Sequence, residues 1–234
     1  MGDPRATVDD PRATPSQGSP RKPAHAGEPR SMFFYAVDPP NLVSLAGLVS
    51  ALLGIYFAIL GVYPAAMIGL VWAVTFDWFD GKVARAMGER TGEQRSFGAG
   101  LDSLIDVVSF GVAPAVLLLA VGGMRPWFLP GAIIVLAAAV IRLAYFDVFG
   151  LADSSTYRGL ALDNNVILLV ALFAFRPLFE PAVFATVLYV SLMALAALNV
   201  SPIRTPKFGG VWYYVIASYA VLMTGVLGWQ LLAR

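Results

Sequence analysis

The chain contains no cysteine. That excludes disulfides, thiolate nucleophiles and thiolate metal sites. Its single histidine, His25, lies in a polar stretch near the start. A Ser-His-Asp triad or a histidine-built zinc site therefore finds no support, and a general base has to be a carboxylate or something weaker. Charge is scarce as well: 13% of the 234 residues are charged, and the formal net charge is +1. Ordinary soluble domains carry about 25% charged residues. The near-balanced charge argues against nucleic acid as a partner. Short alternating segments of the kind that build membrane β-barrels are also missing.

Apolar sequence is what the chain has in quantity: 58% of residues are hydrophobic, and the mean hydropathy is +0.72. The fold class implied is all-α, a polytopic integral membrane bundle. Residues 1–31 are polar, rich in Pro, Gly, Ser and Ala, and carry Asp-Pro-Arg-Ala-Thr twice, at 3–7 and 10–14. Such sequence buries no core and reads as a disordered tail. It lacks the apolar core of a signal peptide. Residues 32–39 begin with Met-Phe-Phe-Tyr and read as an interfacial anchor. Residues 40–234 form the transmembrane domain. Hydropathy counts seven spans there, at about 41–60, 65–86, 97–121, 127–149, 164–175, 181–198 and 211–232. The fifth is short enough to be half of a broken helix, so the expectation is six core helices and up to eight spans.

Four aspartates stand out in this apolar setting. Asp77 and Asp80 are three apart, and Asp102 and Asp106 are four apart, so each pair shares a helix face. Gly98 precedes Asp102 by one turn on the same face. An ionised carboxylate deep in a bilayer costs about 2.5–3.5 kcal/mol. Something must offset four of them, and hard oxygen donors select Mg²⁺, Ca²⁺ or Mn²⁺. A divalent-cation transporter would also bury acids. Its site, however, is expected near the midplane, at interrupted helices in paired repeats. No such repeat is visible here, and these acids cluster beside a polar loop. Arg90, Arg95, Arg204 and Lys207 fall on one side of the membrane, against Arg125 and Arg176 on the other. The positive-inside bias puts the N-terminus and the aspartates on the cytoplasmic side, in a cytoplasmic membrane.

The frame Asp77-x-x-Asp80-Gly81-x-x-Ala84-Arg85, followed by Gly98-x-x-x-Asp102-x-x-x-Asp106, resembles the signature of the CDP-alcohol phosphotransferase family. All eight signature positions match. One departure is a longer stretch between Arg85 and Gly98 than the family commonly has. The resemblance implies a helical membrane enzyme, usually a homodimer, that transfers a substituted phosphoryl group from a CDP-linked donor to an alcohol and releases CMP. It implies a divalent metal, Mg²⁺ or Mn²⁺, as a pair of ions held by Asp77, Asp80, Asp102 and Asp106. Asp106 is also the implied general base. Gly81, Ala84, Arg85 and Gly98 would meet the nucleotide donor. Asn41 and Ser44, at the first turn of the first span, are either further donor contacts or a polar helix end.

Residues 100–114 resemble the third helix of the family's phosphatidylserine synthase branch. The stretches at 141–147 and 199–208 resemble two other elements of that branch, with Tyr145 and Asp147 differing. Gly159–Asn165 begins like a Gly-Leu-Pro-x-Pro element but lacks both prolines. The resemblance thus implies CDP-diacylglycerol as donor and, as acceptor, a small alcohol, first of all L-serine. Choline, inositol, inositol phosphate and glycerol phosphate are the alternatives. Arg142, Asn164, Asn165 and Lys207 are candidate acceptor contacts. Their structural alternatives are a partner for Asp147 (Arg142), a helix cap (the asparagines) and a topology determinant (Lys207).

Overall fold

Proline sets where several of the long helices begin. In the computed structural model, which describes residues 30–150, 156–206 and 209–233, α2 (Pro39–Ile59), α3 (Tyr63–Ala86) and α8 (Pro181–Asn199) each carry proline in their first two positions. There the missing N–H is not needed and the fixed φ suits the helix. The chain divides into two units, 1–31 and 32–234, and only the second is described below. The expected tail lies almost wholly outside the described residues, as does Lys207.

A short helix, α1 (Met32–Ala36), precedes α2. Next after α3 comes α4 (Gly92–Asp106), which starts about five residues earlier than hydropathy suggested. The reason is a capping box. The Thr91 hydroxyl accepts from the Gln94 backbone N–H at 3.2 Å, and the Gln94 side chain accepts from the Thr91 N–H at 2.9 Å. α4 continues through a π-helical turn, Val107–Val112, into α5 (Ala113–Val121). Within the turn the Ala113 N–H reaches back five residues to the Val108 carbonyl. Pro114 explains the widening, since its ring would crowd the carbonyl four residues back and it has no N–H to give.

The remaining elements are α6 (Phe128–Phe149), β1 (Thr156–Arg158), α7 (Leu162–Ala174), β2 (Arg204–Pro206) and α9 (Trp212–Leu232). The two strands form an antiparallel ribbon with Tyr157 opposite Thr205. This small addition to the expected all-α fold ties the 150–161 loop to the 200–211 loop. Gly159, at φ +73°, turns the chain from the ribbon toward α7 and lies against the Asn199 backbone, where a side chain has no room.

Among the described residues, seven rods thus stand where hydropathy put seven spans. Five of them, α2, α4 through α5, α6, α8 and α9, are long and apolar enough to cross a membrane. α3 is long enough but carries Asp77, Asp80, Lys82 and Arg85 in its last part. α7 has 13 residues, about 20 Å of helix, shorter than a bilayer core. It is one short continuous helix, not half of a broken one. This is a multi-pass helical membrane protein.

α3 is the central helix, packed against α2, α7 and α9. Met67, Val71 and Val74 on it are fully buried. α2 and α3 approach closely because Gly54 faces Gly69: a Cβ at Gly69 would lie 2.7 Å from the Ser50 carbonyl oxygen. Leu52 of α2, Ile141 of α6 and Leu222 of α9 are exposed on the outside of the bundle, as apolar side chains of a membrane protein are.

Candidate active site

Two helices supply the acids. Asp77 and Asp80 lie near the end of α3, and Asp102 and Asp106 on α4, just before the π turn. Asp77, Asp102 and Asp106 each present a carboxylate oxygen within 4.8 Å of the others. Asp80 is not one of the three. It is buried, and its Oδ2 accepts from the Ser44 hydroxyl of α2. The resemblance implied all four aspartates as ligands, with Asp106 also the base; the structure brings Asp77, Asp102 and Asp106 together and sets Asp80 beside Ser44.

The acids open into a cavity of about 270 Å³. One wall carries Asp77, Asp80, Gly81 and Arg85 from α3 with Asp102, Ser103 and Asp106 from α4. A second wall carries Arg142, Leu143 and Phe146 of α6 with Asp163 and Asn164 of α7. Trp78, Phe110, Ala161, Leu162, Pro206 of β2 and Tyr213 of α9 complete the lining. α7 thus starts at this cavity, with Ala161 at its cap and Leu162 as its first residue.

Hydrogen bonds fix the lining. Arg85 donates to the Tyr213 hydroxyl. The indole N–H of Trp78 donates to Asp163 Oδ2 at 2.7 Å. Arg142, buried, donates from Nε to the Leu160 carbonyl at 3.1 Å, and its guanidinium carbon lies 5.7 Å from the Phe146 ring centre. Asp147 accepts from Ser103 at 2.8 Å.

Other sequence candidates lie outside the lining. Asn41 is buried and donates to the Tyr35 carbonyl at 2.8 Å. A Cβ at Gly98 would lie 2.9 Å from both Asn41 Oδ1 and the Arg90 guanidinium, so this glycine makes room for those two side chains. Ala84 and Asn165 also stand outside the lining. Asn165 is buried, and its Oδ1 has no hydrogen-bond partner. Neither asparagine caps α7, whose cap position is Ala161.

The acids suit a hard cation. The buried Oδ1 of Asp106 has no hydrogen-bond partner from the protein, and an orphaned carboxylate oxygen in a cluster of three is costly without a positive charge. The donor set is oxygen alone, as Mg²⁺ or Mn²⁺ prefers.

A sequence model of the CDP-alcohol phosphatidyltransferase family matches residues 38–232. The chain belongs to the CDP-alcohol phosphatidyltransferase family. Among individual relatives, it is 34% identical over 156 residues to a CDP-diacylglycerol–serine O-phosphatidyltransferase of Methanocaldococcus jannaschii, covering 66% of this chain and 71% of that one. It is 29% identical over 200 residues to an enzyme of the same name from Mycobacterium bovis, covering 80% and 67%. Its identity to an archaetidylserine synthase of Methanothermobacter thermautotrophicus is 40% over 111 residues, and that match spans 46% of the relative.

Sequence reasoning did not single out Asp163, Trp78 or Tyr213. Asp163 falls in the Gly159–Asn165 stretch, at one of the missing prolines. An acid in a place where the resemblance implies proline was the available signal. Tyr213 gave none, since only the fold brings the start of α9 to Arg85.

Proposed function

We propose that this family member transfers the phosphatidyl group of CDP-diacylglycerol to the hydroxyl of a small alcohol, L-serine, yielding phosphatidylserine and CMP. The observation that carries the reading is the three-carboxylate cluster of Asp77, Asp102 and Asp106 inside a cavity that also holds Arg85 and Arg142. The names of the relatives support serine as the acceptor.

In the reaction the acceptor oxygen bonds to the phosphorus that carries diacylglycerol. The bond from that phosphorus to the bridging oxygen breaks, and CMP leaves. Asp106 takes the hydroxyl proton; its Oδ1 has no protein partner to give up. Asp77, Asp102 and Asp106, with Asp80 adjoining, would hold Mg²⁺ or Mn²⁺ as a pair of ions, which when bound supply neutralisation of the donor pyrophosphate. Arg85 offers a second positive group to the donor phosphates, steadied by Tyr213. Gly81 and Ala84 keep the α3 face low enough for a nucleotide, while Gly98 acts on the donor side through Asn41 and Arg90, for which it makes room. Asn41 and Ser44 act through neighbours, Ser44 by holding Asp80. Asn164, in the lining with Arg142, belongs to the acceptor side, with Asn165 and Lys207 as further acceptor contacts.

The test is CMP release by purified protein in liposomes containing CDP-diacylglycerol, with serine, choline, inositol, inositol phosphate and glycerol phosphate offered in turn. Serine is expected to give the fastest release, chelator to abolish it, and Mg²⁺ or Mn²⁺ to restore it. Full turnover in metal-free buffer, or serine no better than the other alcohols, would overturn the reading.

A further inference from the structure

The α6–α7 wall of the cavity has its own charged groups, which the transfer chemistry of the α3–α4 wall does not use. Asp163 is the second residue of α7, and its carboxylate is pinned by Trp78 of α3 at 2.7 Å. It is not part of the three-carboxylate cluster. Arg142 of α6 lines the same cavity, steadied by the Leu160 carbonyl and the Phe146 ring. An acid in the first turn of a helix is favoured by the helix dipole alone. The dipole does not account for an indole that orients the carboxylate, nor for its place in the cavity lining with an arginine from the neighbouring helix.

We infer that Asp163 and Arg142 read the two charges of a zwitterionic acceptor. Asp163 receives the ammonium and Arg142 the carboxylate of an amino-acid alcohol, which leaves the hydroxyl for the Asp106 side. The inference rests on the serine reading above and names the residues that make it selective. A polyol has no charge to offer either group. A quaternary ammonium has no N–H to donate to Asp163. A phosphorylated alcohol brings a second negative charge toward an acid. A site built to bind a charged group favours the acceptor that carries it, because an analogue without that group forgoes the charge-assisted hydrogen bond.

The experiment compares L-serine, ethanolamine and glycerate as acceptors, by CMP release from CDP-diacylglycerol liposomes at saturating Mg²⁺. Ethanolamine lacks the carboxylate, and glycerate has a hydroxyl in place of the ammonium. Wild type is expected to prefer serine to both. Asp163→Asn is expected to raise the serine KM by about 10- to 100-fold, the usual worth of a hydrogen bond to a charged group. It should change glycerate little and leave the Mg²⁺ requirement unmoved. Asp163→Glu keeps the charge and should keep much of the preference. A raised Mg²⁺ requirement in Asp163→Asn would make Asp163 a metal ligand and overturn the inference. An equal loss with all three acceptors would make it a positioning residue for α7, and would also overturn it. Serine active with Asp163→Asn unchanged sinks this inference alone; serine inactive in wild type while another alcohol reacts sinks the serine reading with it. If Asp163→Asn does not fold, wild type decides: no preference for serine over glycerate overturns the inference.

Discussion

At the scale of single residues, the aspartates differ in surroundings and so should differ when changed. Asp77 and Asp102 belong to the cluster, Asp80 is held by Ser44, and Asp106 has a buried oxygen without a protein partner. Asp77→Asn is expected to weaken metal binding, since an amide oxygen carries no net charge, and added Mg²⁺ should recover part of the activity. Asp106→Asn should still bind donor while turnover falls by roughly 10²–10⁴, the usual worth of a general base, with no recovery at high Mg²⁺. Donor binding and turnover need separate measurement, because members of one cluster are not additive. If Asp106→Asn lost donor and metal binding as severely as Asp77→Asn, Asp106 would be a ligand and nothing more. The four acids were legible in the sequence because helix periodicity puts each pair on one face, and a charge within an apolar run needs a reason. The hold of Ser44 on Asp80 was not legible, since it depends on where another helix falls. Asp163 was hidden for the same reason: its meaning comes from Trp78, 85 positions away in sequence.

At the scale of elements, one contact joins the entry segment to the catalytic helices. Arg90, in the loop between α3 and α4, donates from Nε to Asp38 at 2.8 Å, and both side chains are buried. Next to it the Tyr35 hydroxyl donates to Glu93 at 2.7 Å, and the Tyr35 ring stacks on Phe97 at 5.3 Å. α1 and the start of α2 therefore clasp the first turns of α4, the helix that carries Asp102 and Asp106. A buried pair broken on one side leaves an uncompensated charge and costs about 3–5 kcal/mol. Asp38→Ala and Arg90→Ala should each destabilise the protein on that order, read as a lower Tm in detergent, and the double variant should lose much less than the sum. Strict additivity would show that the two side chains do not depend on each other. Hydropathy located the helices but not this clasp. It also placed the start of α4 late, because the capping box at Thr91 and Gln94 is polar and adds nothing to an apolar run. The π turn had a visible signal in Pro114, but a proline can also end or kink a helix, and only packing decides among these outcomes.

At the scale of the whole molecule, seven rods in alternation put the Asp-bearing end of α3, the start of α4, the ribbon and the start of α9 at one end of the bundle. The short loops at 60–62, 122–127 and 175–180 fall at the other. Apolar side chains such as Leu52, Ile141 and Leu222 cover the outside and give no sign of direction; only the loop charges do. Arg90, Arg95, Arg158 and Arg204 lie at the Asp-bearing end, against Arg125 and Arg176 opposite. On the positive-inside bias the cavity is expected to face the cytoplasm, the side of a cytosolic CDP-linked donor. The absence of cysteine makes the orientation directly measurable, because a single introduced thiol has no background. Glu89 and Arg125 are exposed in loops at opposite ends. In intact cells an impermeant maleimide should label Arg125→Cys, and Glu89→Cys only after permeabilisation. Removing Arg125 lowers the outer charge and so cannot itself invert the bias. The opposite labelling pattern would put the cavity outside, away from a cytosolic nucleotide, and the charge argument for orientation would fall with it.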